Sequence, residues 1–252
     1  MSEKGNQAVK TVSFMMLITL FGKILGMVRE QLLAANYGTD MQAAAFLLAS
    51  RIPRTFFDVI FASAISASFI PVFVEYLQKK GRQEAFSLAN RFITMISTVT
   101  LLMMLLGMAF AKPLTLLIAP GYDVETVTLC VGLLRMLFPT MLFTAVAFSF
   151  VGILQSLEEF NVPAALSVVS NGVLILYYIF FNEKFGILGL TVAFLIGWAM
   201  QAVIQIPSLW KKGYHYHPDF HFKDEGLRKI GKLMLPVMVS TWIQPINFMV
   251  NT

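Results

Sequence analysis

Long apolar blocks separated by short polar breaks dominate the chain. Seven blocks are long enough to cross about 30 Å of hydrocarbon as a helix, which takes roughly 20 residues. None shows the two-residue alternation of barrel strands, and isolated strands would leave backbone groups unpaired in lipid. The pattern therefore predicts an all-α, polytopic membrane helix bundle. The predicted spans cover residues 9–36, 41–77, 85–111, 124–155, 162–181, 185–210 and 233–252.

The second block is too long for one straight span. It contains Pro53 and Pro71, which lack a backbone donor, so we expect a kink at each. The breaks on either side of the third block, QKKGRQ and APGYD, have turn chemistry. These signals set the approximate ends of the spans.

Composition supports a membrane protein and the charge distribution predicts its orientation. Of 252 residues, 57% are hydrophobic and 13% are charged, about half the charged fraction of a typical soluble domain. An N-terminus in the cytoplasm puts twelve lysines and arginines in inside segments and only Lys112 and Lys184 outside. The excess of positive charge is thus a topology signal, and nucleic-acid binding is not predicted. The twelve are Lys4, Lys10, Lys79, Lys80, Arg82, Arg91, Lys211, Lys212, Lys223, Arg228, Lys229 and Lys232.

Ionisable residues inside the predicted spans are the candidate site. Such groups are costly in hydrocarbon and usually face a cavity or a partner. Five cations against two carboxylates leave a positive excess that needs an anion or water. We therefore predict a wet, cationic cavity that receives an anionic ligand, because the arginine fork suits phosphate oxygens. The seven residues are Lys23, Arg29, Arg51, Arg54, Arg135, Glu30 and Asp58.

The first helix carries its charges on one side. At 3.6 residues per turn, Lys23, Arg29 and Glu30 fall with Gly22 and Gly26 within an arc of about 120°. The two glycines form a small-xxx-small pair, which lets a neighbouring helix or a ligand approach closely.

Structural alternatives stay open for the individual charges. Arg29 with Glu30, and Arg54 with Asp58, are spaced to form ion pairs that only stabilise the bundle. Arg29 and Arg135 are also near enough to helix ends for their side chains to reach the interface. The three histidines of HYHPDFH (215–221) are interpreted as part of a solvated loop, with a metal site as the alternative; no cofactor is predicted.

Six segments resemble the MurJ/MviN family of bacterial lipid II flippases, within the multidrug/oligosaccharidyl-lipid/polysaccharide exporter superfamily. The similarity extends over essentially the whole chain in order and spacing. The segments are FGKILGMVREQLLAANYG, AAAFLLASRIPRTFF, SASFIPVFVEYLQKKGRQEA, LIAPGYD, LLRMLFPTMLFTAVAFSFVGILQS and NVPAALSVVSN.

The resemblance implies a two-lobe exporter of about fourteen spans that moves undecaprenyl-pyrophosphate-linked muropeptide by alternating access. Arg29 matches the arginine of the family's G-x-x-R motif, and Lys23 stands where the family often has arginine. Arg51 directly precedes the Ile-Pro pair that replaces the family's Leu-Pro. We expect Arg29, Arg51, Arg54 and Lys23 to bind substrate. Glu30, Asp58 and Arg135 are expected to line the cavity or to take part in coupling.

The chain also departs from the family pattern. Phe57 and Asp58 stand where the family commonly has paired arginines, and Ala44 replaces an acidic residue. The segment 61–64 lacks the carboxylate of the family's A-E-G-A stretch. The ligand is therefore expected to be lipid II or another polyprenyl-linked or anionic lipid.

The predicted organisation is that of a first lobe. Residues 1–212 form six spans, residues 213–232 a cytoplasmic connecting loop, and residues 233–252 the start of a seventh span in a second lobe that lies outside this sequence. We expect a multi-pass protein of the bacterial cytoplasmic membrane whose partners are the lipid-linked pyrophosphate, membrane lipid and the other lobe of the same protein.

Other functions are kept as alternatives. They are a superfamily exporter of small molecules, a membrane enzyme acting on lipid pyrophosphate, and a non-transporting scaffold. A Walker motif, an HExxH motif and a Ser-His-Asp pattern are all absent from the sequence. No catalytic residue is predicted, and a transporter is favoured over an enzyme.

Overall fold

The computed structural model describes the backbone of residues 2–38 and 40–250, and the side chains of residues 12–38, 40–54 and 64–240. Within that part of the chain every regular element is helical. The helices are α1 (Ser2–Tyr37), α2 (Met41–Ala64), α3 (Ile70–Lys79), α4 (Arg82–Ala109), α5 (Ala111–Ile118), α6 (Val124–Leu137), α7 (Thr140–Ser156), α8 (Asn161–Ala164), α9 (Leu166–Phe180), α10 (Asn182–Val203), α11 (Ile206–Lys211) and α12 (Glu225–Val250).

Five of the predicted spans are confirmed as segments long and apolar enough to cross a membrane. The second and seventh predicted spans are helical in backbone, as α2–α3 and α12, but include side chains outside those described. The fourth span consists of α6 and α7, which meet at Pro139. The five segments are Val12–Tyr37, Arg82–Ala109, Val124–Ser156, Asn161–Phe180 and Asn182–Lys211.

Just before Pro71, where a kink is predicted, a π-helical turn, Ile65–Phe69, lies between α2 and α3. Proline has no N–H and its ring conflicts with the carbonyl four residues earlier, and a wider turn relieves both problems. At Pro53, by contrast, α2 continues.

Buried apolar side chains form two clusters. In the first, the rings of Phe69 and Phe92 stack with centroids 4.6 Å apart and pack against Ile153 of α7. The second surrounds α6, where Leu134 packs with Phe194 of α10 and its neighbours. Because lipid is as apolar as these side chains, close packing holds the helices together in a membrane.

Helix α1 lies at the edge of the bundle. Only 6% of its most apolar window is buried, against 72% for Val124–Ser156. It rests on α9 at Gly22, where an added Cβ would lie 2.2 Å from Ser167 Oγ. The small-xxx-small pair therefore serves helix packing, which allows the backbones of α1 and α9 to approach closely.

The segment between α11 and α12 is fixed to α4. Arg91 donates from Nε to Asp219 Oδ2 at 2.9 Å and from Nη1 to Asp224 Oδ2 at 2.7 Å. Tyr214 donates its hydroxyl to Asn90 Oδ1 at 2.8 Å. These five residues are called the loop clamp below.

Helix α12 begins at Glu225, eight residues before the start predicted for the seventh span. Asp224 caps it by accepting a hydrogen bond from Leu227 N at 3.1 Å. Leu227, Ile230 and Met234 then form a buried stripe at helical spacing. Basic residues between these positions obscured the amphipathic pattern in the sequence. Because α12 begins at Glu225, the segment without helix is shorter than the predicted loop of residues 213–232.

Candidate functional site

Four of the predicted site residues surround one partly open cavity of about 340 Å³. Arg29 and Glu30 reach it from α1, and Arg51 and Arg54 from α2. These four residues define the arginine cavity. Side chains of α2, α9 and α10 complete its wall, including Phe46, Leu47, Leu174, Tyr178 and Phe194.

Arg29 is held on two sides. Its Nη2 donates to Glu30 Oε1 at 3.2 Å, and its Nη1 donates to Asn171 Oδ1 at 3.0 Å. The ion pair considered as a structural alternative is therefore present. This ion pair uses only one of the five N–H donors of the guanidinium. Arg29 thus lines the cavity while two of its donors are used by the protein.

Arg51 and Arg54 extend the positive wall along α2. Both side chains are exposed at the cavity. Arg51 makes no hydrogen bond or ion pair with any residue that the structure describes. The guanidinium carbon of Arg54 lies 5.9 Å from the ring centroid of Trp198, within cation–π distance.

The charge of the cavity determines what it can bind. The charged residues of the described lining are three arginines and one glutamate. Guanidinium groups bind phosphate oxygens through paired hydrogen bonds, and a low-dielectric wall strengthens the attraction. The geometry suits an anionic, phosphate-bearing group.

The other predicted site residues lie elsewhere. Lys23 is exposed and does not line the cavity; it faces nearly the same way as Glu30 but lies about 10 Å earlier along α1. Arg135 is also exposed, and its Nε donates to Met108 O, near the end of α4, at 3.2 Å. Asp58 belongs to α2, but its side chain lies outside the described residues. Ligand contact by each of the seven residues stays a prediction.

Two polar residues at the site were missed from the sequence. Asn171 is 7% exposed and accepts from Arg29, and Tyr178 lines the cavity. A search for charges overlooks both. The available signal for Asn171 was an amide within an otherwise apolar span, where polar groups usually have a partner.

Relatives of known family match most of the chain. A model of the family "Lipid II flippase MurJ" matches residues 33–252. The probable lipid II flippase MurJ of Buchnera aphidicola subsp. Acyrthosiphon pisum is 31% identical over 240 residues, which are 94% of this chain and 47% of the relative. The Haemophilus influenzae protein of the same description is 30% identical over 250 residues, covering 93% of this chain and 48% of the relative.

Solved structures agree with this similarity. A lipid II flippase MurJ in an inward closed conformation superimposes with a TM-score of 0.78 and 26% identity, covering 94% of this chain and 49% of that one. The bent form of the Vibrio cholerae MATE transporter VcmN gives a TM-score of 0.73 at 16% identity, with 98% and 56% coverage. At that identity the second match shows the fold alone.

The comparisons also locate the chain within a larger architecture. It spans about half the length of the curated relatives it matches, and its helix bundle is that of one lobe of a two-lobe exporter. Several apolar helices make it a multi-pass membrane protein. Because the family model matches most of its length, the chain belongs to the MurJ family.

Proposed function

We propose that this chain forms the N-terminal half of a flippase that moves lipid II, the undecaprenyl-pyrophosphate-linked peptidoglycan precursor, across the bacterial cytoplasmic membrane. The observation that carries the proposal is the arginine cavity, on which three arginines of α1 and α2 converge. A pyrophosphate would bind these guanidiniums through charge-assisted hydrogen bonds. The names of the relatives and the family of the chain support this ligand over other anions.

Transport by alternating access requires the second lobe. The cavity is partly open on this half, and we infer that the other half of the protein supplies the facing wall. Binding there would shield the head group while the lipid tail stays in the bilayer. Rocking of the two lobes would then expose the cavity to one leaflet at a time.

The proposed orientation puts the N-terminus and the loop clamp in the cytoplasm. It rests on the excess of lysine and arginine in the segments on that side. The cavity lies toward the other end of α1, because Arg29 and Glu30 are in its last third. The arrangement favours a cavity nearer the outer than the inner surface.

The alternatives differ in what the cavity would hold. An exporter of cationic drugs would need a negative lining, and this one is positive. An enzyme acting on lipid pyrophosphate needs a nucleophile or base beside the arginines, and Glu30 is the one carboxylate in the described lining. An exporter of another anionic or polyprenyl-linked lipid is the remaining candidate. The departures at Ala44 and Phe57 favour it.

Depletion of the gene product that carries this chain tests the transport step. Lipid II would be measured in each leaflet of the cytoplasmic membrane after depletion, by its accessibility to an added enzyme or probe on the outer side. We expect lipid II to accumulate in the inner leaflet and to fall in the outer one. An unchanged leaflet ratio would remove lipid II as the substrate.

Charge removal tests the cavity, with a matched control on the same chain. Arg29→Ala and Arg51→Ala should each lower the flipping rate at least about tenfold, the effect of losing a charged hydrogen bond. Arg228→Ala removes the same side chain from the exposed face of α12, outside the cavity, and should stay within about twofold of the unmodified protein. Equal losses in all three variants would contradict binding at the arginine cavity.

A further inference from the structure

An amide on α9 ties Arg29 to the backbone of its own helix. Asn171 Oδ1 accepts from Arg29 Nη1 at 3.0 Å, and Asn171 Nδ2 donates to Gly22 O at 3.1 Å. Both ends of the amide are therefore used, each in the role that its chemistry permits. The two bonds join one side chain of α9 to two points of α1 that are two helical turns apart.

This link restricts a side chain that is otherwise flexible. An arginine that is fixed in one geometry loses rotamer entropy of its long side chain. The Asn171 amide is 7% exposed and so cannot exchange its partners freely with water. Arg29 is 22% exposed, with the cavity as its open side. Asn171 thus fixes which edge of the guanidinium is left for a ligand.

Attachment of α1 to α9 is not sufficient to explain Asn171. A second polar contact joins the far end of α1 to the start of α10. There, Tyr37 donates its hydroxyl to Asn182 Oδ1 at 2.5 Å, and Asn182 Nδ2 donates to Asn36 Oδ1 at 2.9 Å. That contact does not include a residue of the arginine cavity, whereas the contact at Asn171 does.

We propose that Asn171 is a positioning residue that presents Arg29 to the pyrophosphate of the substrate. An amide is suited to this task because it orients the guanidinium without neutralising it. A carboxylate at the same place would bind Arg29 more strongly but cancel its charge. The inference rests on the proposed function, since it assumes an anionic head group in the cavity.

A double-mutant cycle tests the inference. The full-length protein that carries this chain would be reconstituted in lipid nanodiscs, and the Kd for undecaprenyl pyrophosphate measured for Asn171→Ala, Arg29→Ala and the double variant. Uncharged undecaprenol serves as the control for binding of the tail. We expect Asn171→Ala to weaken binding about threefold to tenfold. In the Arg29→Ala background it should have no further effect, because Asn171 acts through Arg29.

Two further variants separate positioning from helix packing. Asn182→Ala removes the other polar contact of α1 and should leave the Kd unchanged. Asn171→Asp keeps the volume of the side chain but pairs a carboxylate with Arg29. It should therefore weaken binding more than Asn171→Ala does, although packing alone would predict the reverse. Melting temperatures in the same nanodiscs identify a variant that has lost its fold.

Each outcome has a distinct meaning. If Arg29→Ala binds pyrophosphate as tightly as the unmodified chain, the proposed function fails at this residue. Arg29→Ala could weaken binding while Asn171→Ala and Asn171→Asp do not. In that case the arginine cavity still binds the pyrophosphate, but the positioning role of Asn171 is overturned. Equal effects of Asn171→Ala in both backgrounds would also overturn it, as would an Asn182→Ala variant with the same loss of affinity.

Discussion

The loop clamp and the arginine cavity contain arginines of equal exposure in different electrostatic surroundings. The side chain of Arg91 is 23% exposed and that of Arg29 is 22% exposed. Arg91 faces two carboxylates, Asp219 and Asp224, at 2.9 and 2.7 Å. Arg29 contacts Glu30 at 3.2 Å, and two more arginines line the same cavity.

This difference separates a structural arginine from one available to a ligand. The exposed fraction of the two side chains is nearly the same, so exposure to solvent alone does not distinguish them. The balance of charge does. A guanidinium that contacts two carboxylates gains little from a further anion, whereas Arg29 contacts one, Glu30, among the described residues.

The largest effect on ligand binding is expected when a carboxylate is added to the arginine cavity, as in the loop clamp. Leu47 lines the cavity and precedes Arg51 by one helical turn. Leu47→Asp should weaken binding of undecaprenyl pyrophosphate about tenfold or more, because the new carboxylate pairs with a cavity arginine. Leu47→Asn has nearly the same shape without the charge and should keep most of the affinity. Similar Kd values for the two variants would contradict a charge-based site.

A smaller effect is expected from unpairing the clamp. Arg91→Ala leaves Asp219 and Asp224 side by side without their cation. It should lower the free energy of unfolding by about 1 to 2 kcal/mol, the upper range for charged hydrogen bonds being reduced by partial solvent access. Melting in detergent would show the loss, and Arg91→Lys should recover part of it. The Kd for undecaprenyl pyrophosphate should not change; a weakened Kd at full stability would place Arg91 in the ligand pathway.

The smallest effect is a local response of the clamp to acid. The backbone N–H of His221, followed by the His221 ring and Arg91, lowers the pKa of Asp219 from 3.8 to about 2. A lowered carboxyl pKa stabilises the folded loop above pH 4, and that contribution is lost as the pH falls from about 4 to about 2. Amide exchange in residues 212–224 should therefore accelerate on going from pH 5 to pH 3.

Asp219→Asn is the control for the acid response. An asparagine cannot titrate, so the variant should show the faster amide exchange already at pH 5 and a weaker dependence on pH. A wild-type loop whose exchange, corrected for the intrinsic chemical rate, is the same at pH 5 and pH 3 would contradict the assignment of the low pKa to this contact.

Much of the helix bundle could be predicted from the sequence because hydropathy acts locally. Each apolar block is long enough to cross the membrane by itself, and five blocks reappear as helices that could span it. The start of α12 could not be predicted in the same way. Glu225 becomes helical because Asp224 caps the chain and Leu227 packs into the bundle, and these contacts depend on the fold.

The sequence predicted which types of charged residue form the site, but it could not predict which of the candidate residues line the cavity. Helical spacing grouped Lys23 with Arg29 and Glu30, and Arg51 with Arg54, and all of these except Lys23 line the cavity. The same reasoning could not separate Arg135 from them. Arg135 is on a different helix, where its position relative to the cavity depends on how α6 packs.

The sequence by itself determined that this is a helical membrane protein with more positive than negative charge within its spans, since both properties are sums over local segments. The tertiary structure decided which of those charges meet. Close contact of α1 with α9 at Gly22 brings Asn171 to Arg29, and the packing of α2 places Arg51 and Arg54 on the same cavity. The physical reason is that an ionic site depends on distances of a few ångströms between helices, and those distances are fixed only when the side chains interlock.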